Sequence, residues 1–200
     1  MKKFLLLLPL LLLTMTVAAD NASDARKILD KTAAVVNRKG GASAQFTISG
    51  GKIGSQTGNI SIKGNKFCAT TPSATMWYDG KTQWTYMKAN NEVNISTPDA
   101  RKQQMMNPYT FITLYKKGYN LSLKKQGKTN LVHMVAQGNA SIKEMYITID
   151  SSYHPTQIRM NQKGTWTTIT ISKFSAKNLS DAIFRFNSKD YPKAEVVDLR

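Results

Sequence analysis

Between residues 23 and 38 the apolar positions recur at helical spacing. Ala25, Ile28, Leu29, Thr32, Val35 and Val36 fall on one face, and Lys27, Lys31 and Arg38 lie off it. Ser23 is placed to cap the start and Gly40-Gly41 to end it. The pattern predicts a helix that lies on something apolar. From there the period falls to two. Ala44, Phe46 and Ile48 alternate with polar residues, as do Ile60 and Ile62, and Lys66 to Thr70 reads as a strand. After the run Trp77 to Met87, further runs pass through Val93 and Ile95, Tyr119 to Leu123, Leu131 to Ala136, Met145 to Ile149, Ile158 and Met160, Ile169 and Ile171, and Phe184 and Phe186. Gly, Asn, Asp or Pro separates most of them. Roughly ten or eleven short strands at hairpin spacing are the pattern of an antiparallel sandwich or barrel.

One stretch breaks the alternation. Residues 98–117 read as helix, break at Asn107-Pro108, then helix, with Met105, Met106, Tyr109, Phe111, Ile112, Leu114 and Tyr115 making it strongly apolar. In a β chain such a segment either packs into the core as a crossover or covers a cavity.

The first residues read as an export signal. Lys2 and Lys3 precede an apolar run, Phe4 to Leu13, interrupted by Pro9 and too short for a span. Val17-Ala18-Ala19 then offers small residues before a cut at Asp20. No cysteine sits near that cut, so the mature chain is expected to be free of a lipid anchor. Residues 20–200 suit one domain with its own core. The net charge of +16 becomes +14 once Lys2 and Lys3 are removed. That balance favours anionic partners, and export argues against nucleic acid. A single cysteine, Cys68, rules out an intramolecular disulfide. Together these point to a bacterial periplasm.

No catalytic constellation is visible. His133 lies in a strand run and His154 in a turn before Pro155, with no metal-ligand spacing around either. There is no GxSxG, HExxH, phosphate loop or CxxC. Cys68 lacks an activating base in the sequence and reads as a buried, inert thiol. The expectation is a non-enzyme without metal or cofactor.

The stretch "WYDGKTQWTYM" carries the most unusual surface. Asp79-Gly80 signals a hairpin, and a two-residue turn places Trp77, Trp84 and Tyr86 on one face with the indoles diagonal. Such a face is either core filling or a concave apolar wall that the protein does not fill itself. The nine methionines suit the second reading, because thioethers adapt to variable ligands.

In order along the chain, "FTISGG", "GNISIKGNKF", "YDGKTQWTYM", "NPYTFITLY", "MYITIDSSYHPTQIRM" and "FRFNSKDYPKAEVVDL" resemble the periplasmic lipoprotein carriers of the LolA-like family, over nearly all of the mature chain. The resemblance implies a mainly β (α+β) fold: an unclosed antiparallel half-barrel with an N-terminal helix and a mid-chain helical lid or plug. It implies an apolar groove for acyl chains. The candidate groove residues are Phe46, Ile48, Ile60, Ile62, Phe67, Trp77, Trp84, Tyr86, Ile147 and Ile149. The candidate lid residues are Met105, Met106, Tyr109, Phe111, Ile112, Leu114 and Tyr115. The implied partners of the monomeric carrier are acylated lipoproteins, an ATP-driven (ABC-type) releaser in the inner membrane and an outer-membrane acceptor. Where better-known members have Arg-Pro, this chain has Gly64-Asn65. Either another residue holds the lid, or the lid stands more open. An envelope-stress sensor on the same half-barrel and a binder of anionic glycolipid are the alternatives.

Overall fold

The computed structural model describes residues 9–51, 54–99 and 108–200, and for residues 9–20, 108 and 109 the backbone alone. The first helix, α1, runs from Pro9 to Val36. Its start is earlier than the helical spacing predicts. Leu10 to Ala19 is rich in strong helix formers, and proline is well tolerated at a first helical position, so the helix continues through Ser23 instead of being capped there. It ends before Gly41, whose φ of +93° favours glycine.

Six strands follow: β1 (Ala42–Ser49), β2 (Ser55–Lys63), β3 (Lys66–Thr70), β4 (Ala74–Tyr78), β5 (Gln83–Met87) and β6 (Glu92–Ser96). A short helix α2 (Pro108–Thr113), again opening on proline, leads into a 3₁₀ turn, Leu114–Lys116. Then come β7 (Tyr119–Gln126), β8 (Thr129–Ala136), β9 (Ile142–Ile149), β10 (Pro155–Gln162), β11 (Thr165–Ala176) and β12 (Glu195–Asp198). The run predicted as a strand at Phe184 and Phe186 is instead a 3₁₀ turn, Asp181–Phe184, capped by Ser180, and the last strand lies farther on.

The strands form one sheet in the order β12-β6-β5-β4-β3-β2-β1-β11-β10-β9-β8-β7. Every pairing is antiparallel except β12 with β6. β7 and β12 stand at the two ends and do not pair with each other, so the sheet is unclosed, as the resemblance implies.

α1 and α2 lie against the concave face. At one side Leu29, Leu114, Tyr115, Val132, Met134, Met145, Ile147 and Ile149 pack solidly. At the other, Ala33, Val36, Ile62, Phe67, Tyr78 and Ile112 form a second cluster. α1 is fastened at three points. The Asn21 amide donates to the Leu123 carbonyl (2.9 Å) and its oxygen accepts the Leu123 N–H (2.6 Å). The Tyr115 hydroxyl donates to Asp30. Lys31 donates to the Tyr153 hydroxyl at 3.1 Å and lies 4.8 Å from the ring centroid.

Candidate functional site

Strand alternation decides which side chains face the helices. Antiparallel partners share a face, so the pairs Ala44–Ile60, Phe46–Gly58, Ile60–Ala69, Ala69–Met76 and Ile158–Ile169 all belong to one inner surface. Between the two packed clusters that surface lines a partly open cavity of about 440 Å³. Its floor is Ala44, Phe46 and Ile48 of β1, Ile60 and Ile62 of β2, Phe67 and Ala69 of β3, Met76 of β4, and Pro155, Ile158, Met160, Ile169, Ile171 and Phe174 of β10 and β11. Val36, Phe111 and Ile112 close it from above. Gln162 and Thr167 are the polar side chains in the lining. The volume lies within the roughly 300–1,000 Å³ of small-molecule pockets.

The space exists because two inward positions on its floor, Ala44 and Ala69, carry only a methyl, while Gly58 lets the Phe46 side chain sit close to β2. At Gly58 even a methyl is excluded, since a Cβ there would stand 2.4 Å from the Thr70 carbonyl oxygen and 2.6 Å from Phe46 Cζ. The Phe46 ring therefore occupies the space that a side chain at this position would take.

Of the groove residues named from sequence, Phe46, Ile48, Ile60, Ile62 and Phe67 line this cavity. Ile147 and Ile149 share the inner face but are fully buried in the solid cluster beside it. Trp77, Trp84 and Tyr86 are on the other side of the sheet. The loop between β4 and β5 has four residues, with the Asp79 carboxylate accepting the Lys81 and Thr82 N–H groups, so Trp77 stands directly opposite Trp84 and not diagonal to it. The inward positions of β4 are Met76 and Tyr78. Trp77 packs outward against Phe186 (centroids 5.7 Å) and Tyr191 (5.6 Å), and Tyr86 against Tyr191 (4.6 Å). The C-terminal segment thus supplies the partners of the aromatic hairpin.

That segment is clamped by charge. Asp181 bridges Lys63 (2.9 Å) and Lys66 (2.8 Å), and Arg185 reaches Asp79 at 3.3 Å. The hydrogen bonds from Lys66 and Lys63 hold the Asp181 carboxyl at about 2. Gly64, at φ +60°, is in the turn between these lysines, and a Cβ there would have no neighbour within 4 Å. Tyr115, just beyond α2, is what fastens the helical segment to α1: its hydroxyl bonds Asp30, and the Arg26 guanidinium sits 5.5 Å from its ring.

Among the lid residues, Phe111 and Ile112 face the cavity, while Leu114 and Tyr115 join the core. Met105 and Met106, and the Tyr109 side chain, lie outside the described residues. Sequence reasoning missed Met76, Met160, Ile169, Ile171 and Phe174 as lining. The alternation of β10 and β11 carried a signal for the last four, but not for which strand they would face.

The titratable groups are elsewhere. His133 lies on the outer face, stacked on Tyr146 at 4.3 Å and 2.8 Å from Glu144. The Tyr146 hydroxyl and His133 hold the Glu144 carboxyl below its ordinary value. His154 pairs with Asp150 (3.2 Å) and backs onto Phe174 (4.5 Å). Cys68 shares the outer face with Trp77, and burial pushes its thiol up, against nucleophilic use. Among the described residues no three His, Cys, Asp or Glu side chains gather as metal ligands would.

A family model described as outer membrane lipoprotein carrier protein LolA matches residues 15–164. Among solved structures, an uncharacterized conserved protein from Thermus thermophilus superposes with a TM-score of 0.58 at 16% identity, over 88% of this chain and 99% of that one. A LolA superfamily protein from Nitrosomonas europaea gives 0.45 at 11% identity, over 81% and 97%. The lipoprotein LppX of Mycobacterium tuberculosis gives 0.40 at 11%, over 82% and 97%. No curated protein matches the chain.

Proposed function

The chain belongs to the family of LolA outer membrane lipoprotein carrier proteins, and from that premise we propose that it shields the acyl chains of lipoproteins in the cavity beneath α1 and α2 while they cross the periplasm. The observation that carries this reading is the unfilled apolar volume itself. A sheet face this apolar normally closes on its own side chains, and here the small residues Ala44 and Ala69 leave about 440 Å³ open.

The energetics explain the need. An acyl chain of roughly fifteen methylenes costs on the order of 12 kcal/mol to leave in water, at about 0.8 kcal/mol per methylene. A carrier must offset most of that, yet bind less favourably than the membrane that receives the cargo. A lining of aliphatic and thioether groups with almost no polar anchor suits such a graded, unspecific hold.

On this reading the leader is cleaved near Ala19-Asp20 and the mature protein moves freely. An ABC-type releaser loads it and an outer-membrane acceptor empties it. The chemistry is transfer of a bound molecule, with no covalent step. The test is reconstitution: membranes holding a labelled lipoprotein and its energised releaser, incubated with the mature chain, yield a soluble one-to-one complex. Label that stays with the membrane under those conditions contradicts the transport role.

A further inference from the structure

Residues 100–143 contain no aspartate or glutamate and eight lysines or arginines. They hold half of the chain's net charge of +16 on less than a quarter of its length, so the charge is local. In the fold this stretch supplies α2 and the free edge of the sheet, β7 with β8. Lys124, Lys125 and Lys128 surround the tip of the β7–β8 turn, and all three are exposed. Among the described residues none of the three is paired with a carboxylate. Lys116 and Lys117 stand exposed at the other end of β7.

We propose that this edge is a docking surface for anionic phospholipid headgroups, which brings the carrier onto a membrane surface. Three features select that partner. The cations are lysines on long, mobile stems at a protruding rim. They suit many laterally mobile phosphates, whereas arginine in a pocket suits one fixed, bidentate anion. Among the described residues none of them is tied up in an ion pair, so their field adds along the edge. Lysines on an edge strand also prevent unwanted strand pairing. Here, however, the Asn21 amide already occupies the Leu123 edge groups, and the lysine cluster continues past the strand to Lys128. The inference stands on charge placement and is independent of what the cavity holds.

The test is sedimentation of the mature chain, residues 20–200, with phosphatidylcholine vesicles, with and without phosphatidylglycerol, at low and high salt. Binding is expected only with phosphatidylglycerol and falls as salt rises. Replacing Lys124, Lys125 and Lys128 together by Gln lowers partitioning on the order of a hundredfold, given about fivefold per lysine near an anionic surface. Replacing Lys177, Lys189 and Lys193 by Gln removes the same charge far from this edge and leaves partitioning within about twofold. The proposal is overturned if the chain ignores phosphatidylglycerol at low salt, as it would were the partner an acidic protein. It is also overturned if the two triple variants lose binding equally. A cavity-filled variant still docks under this proposal, so its failure and that of the carrier reading are told apart.

Discussion

A chain carrying Ala44→Leu and Ala69→Leu loses more than about a thousandfold in affinity for a long-chain acyl ligand, while its Tm holds or rises. Both alanines are on the cavity floor. Each leucine adds three carbons to the open space, so the pair displaces about six methylene equivalents of ligand, worth about 0.8 kcal/mol apiece. The same carbons gain burial in the empty chain, which is why stability does not fall. Equilibrium titration with a fluorescent fatty acid, read beside thermal melts, separates the two effects. Loss of both affinity and fold would show that the space is needed for packing and not for a ligand.

Gly58→Ala has the opposite signature. It lowers stability by about 2–3 kcal/mol, because the new methyl meets the Thr70 carbonyl at 2.4 Å, and backbone cannot step aside as a side chain does. The second clash, with Phe46 Cζ at 2.6 Å, can be relieved. Adding Phe46→Leu therefore recovers part of the loss and leaves the carbonyl contact in place. Urea denaturation of the single and double variants measures both parts. A Gly58→Ala chain as stable as the parent would mean that β2 and β3 are not held at this spacing, and the cavity floor would lose its explanation.

These positions show how much a sequence can convey. The unclosed sheet and the first helix's apolar face follow from local periodicity and the family resemblance, and the structure has both; a helix does start at Pro108, while residues 100–107, before the expected break, lie outside the described residues. The aromatic hairpin shows where local periodicity stops. Reading its turn as two residues instead of four shifts the pairing by two, which keeps every side chain on its own face. Trp77, Trp84 and Tyr86 are therefore grouped correctly even though the register is not. Their side of the sheet is another matter. Met76 and Tyr78 are as able to face a core as the indoles are, so β4 is apolar on both surfaces. The choice is made by Phe186 and Tyr191, more than a hundred residues later, which cover the tryptophan side and leave Met76 to the cavity. No pattern within the hairpin contains that information. Ile147 and Ile149 fail as lining for a related reason. Their face is right, but Leu29, Leu114 and Tyr115 fill the space above them. The cavity is thus defined by what the helices do not reach, and small residues such as Ala44 and Ala69 mark it better than large ones.

The central claim is that this space, and no other part of the molecule, receives acyl chains. Methionine methyls report on it from inside. Met76 and Met160 line the cavity, Met134 and Met145 are fully buried in the solid cluster beside it, and Met87 is exposed at the end of β5. With the methionine methyls labelled with carbon-13, addition of a triacylated lipopeptide is expected to move the Met76 and Met160 resonances and to give them contacts to acyl protons, with Met134, Met145 and Met87 unmoved. Acyl contacts at Met87, Met134 or Met145 with Met76 and Met160 silent would place the lipid away from this space and contradict the account.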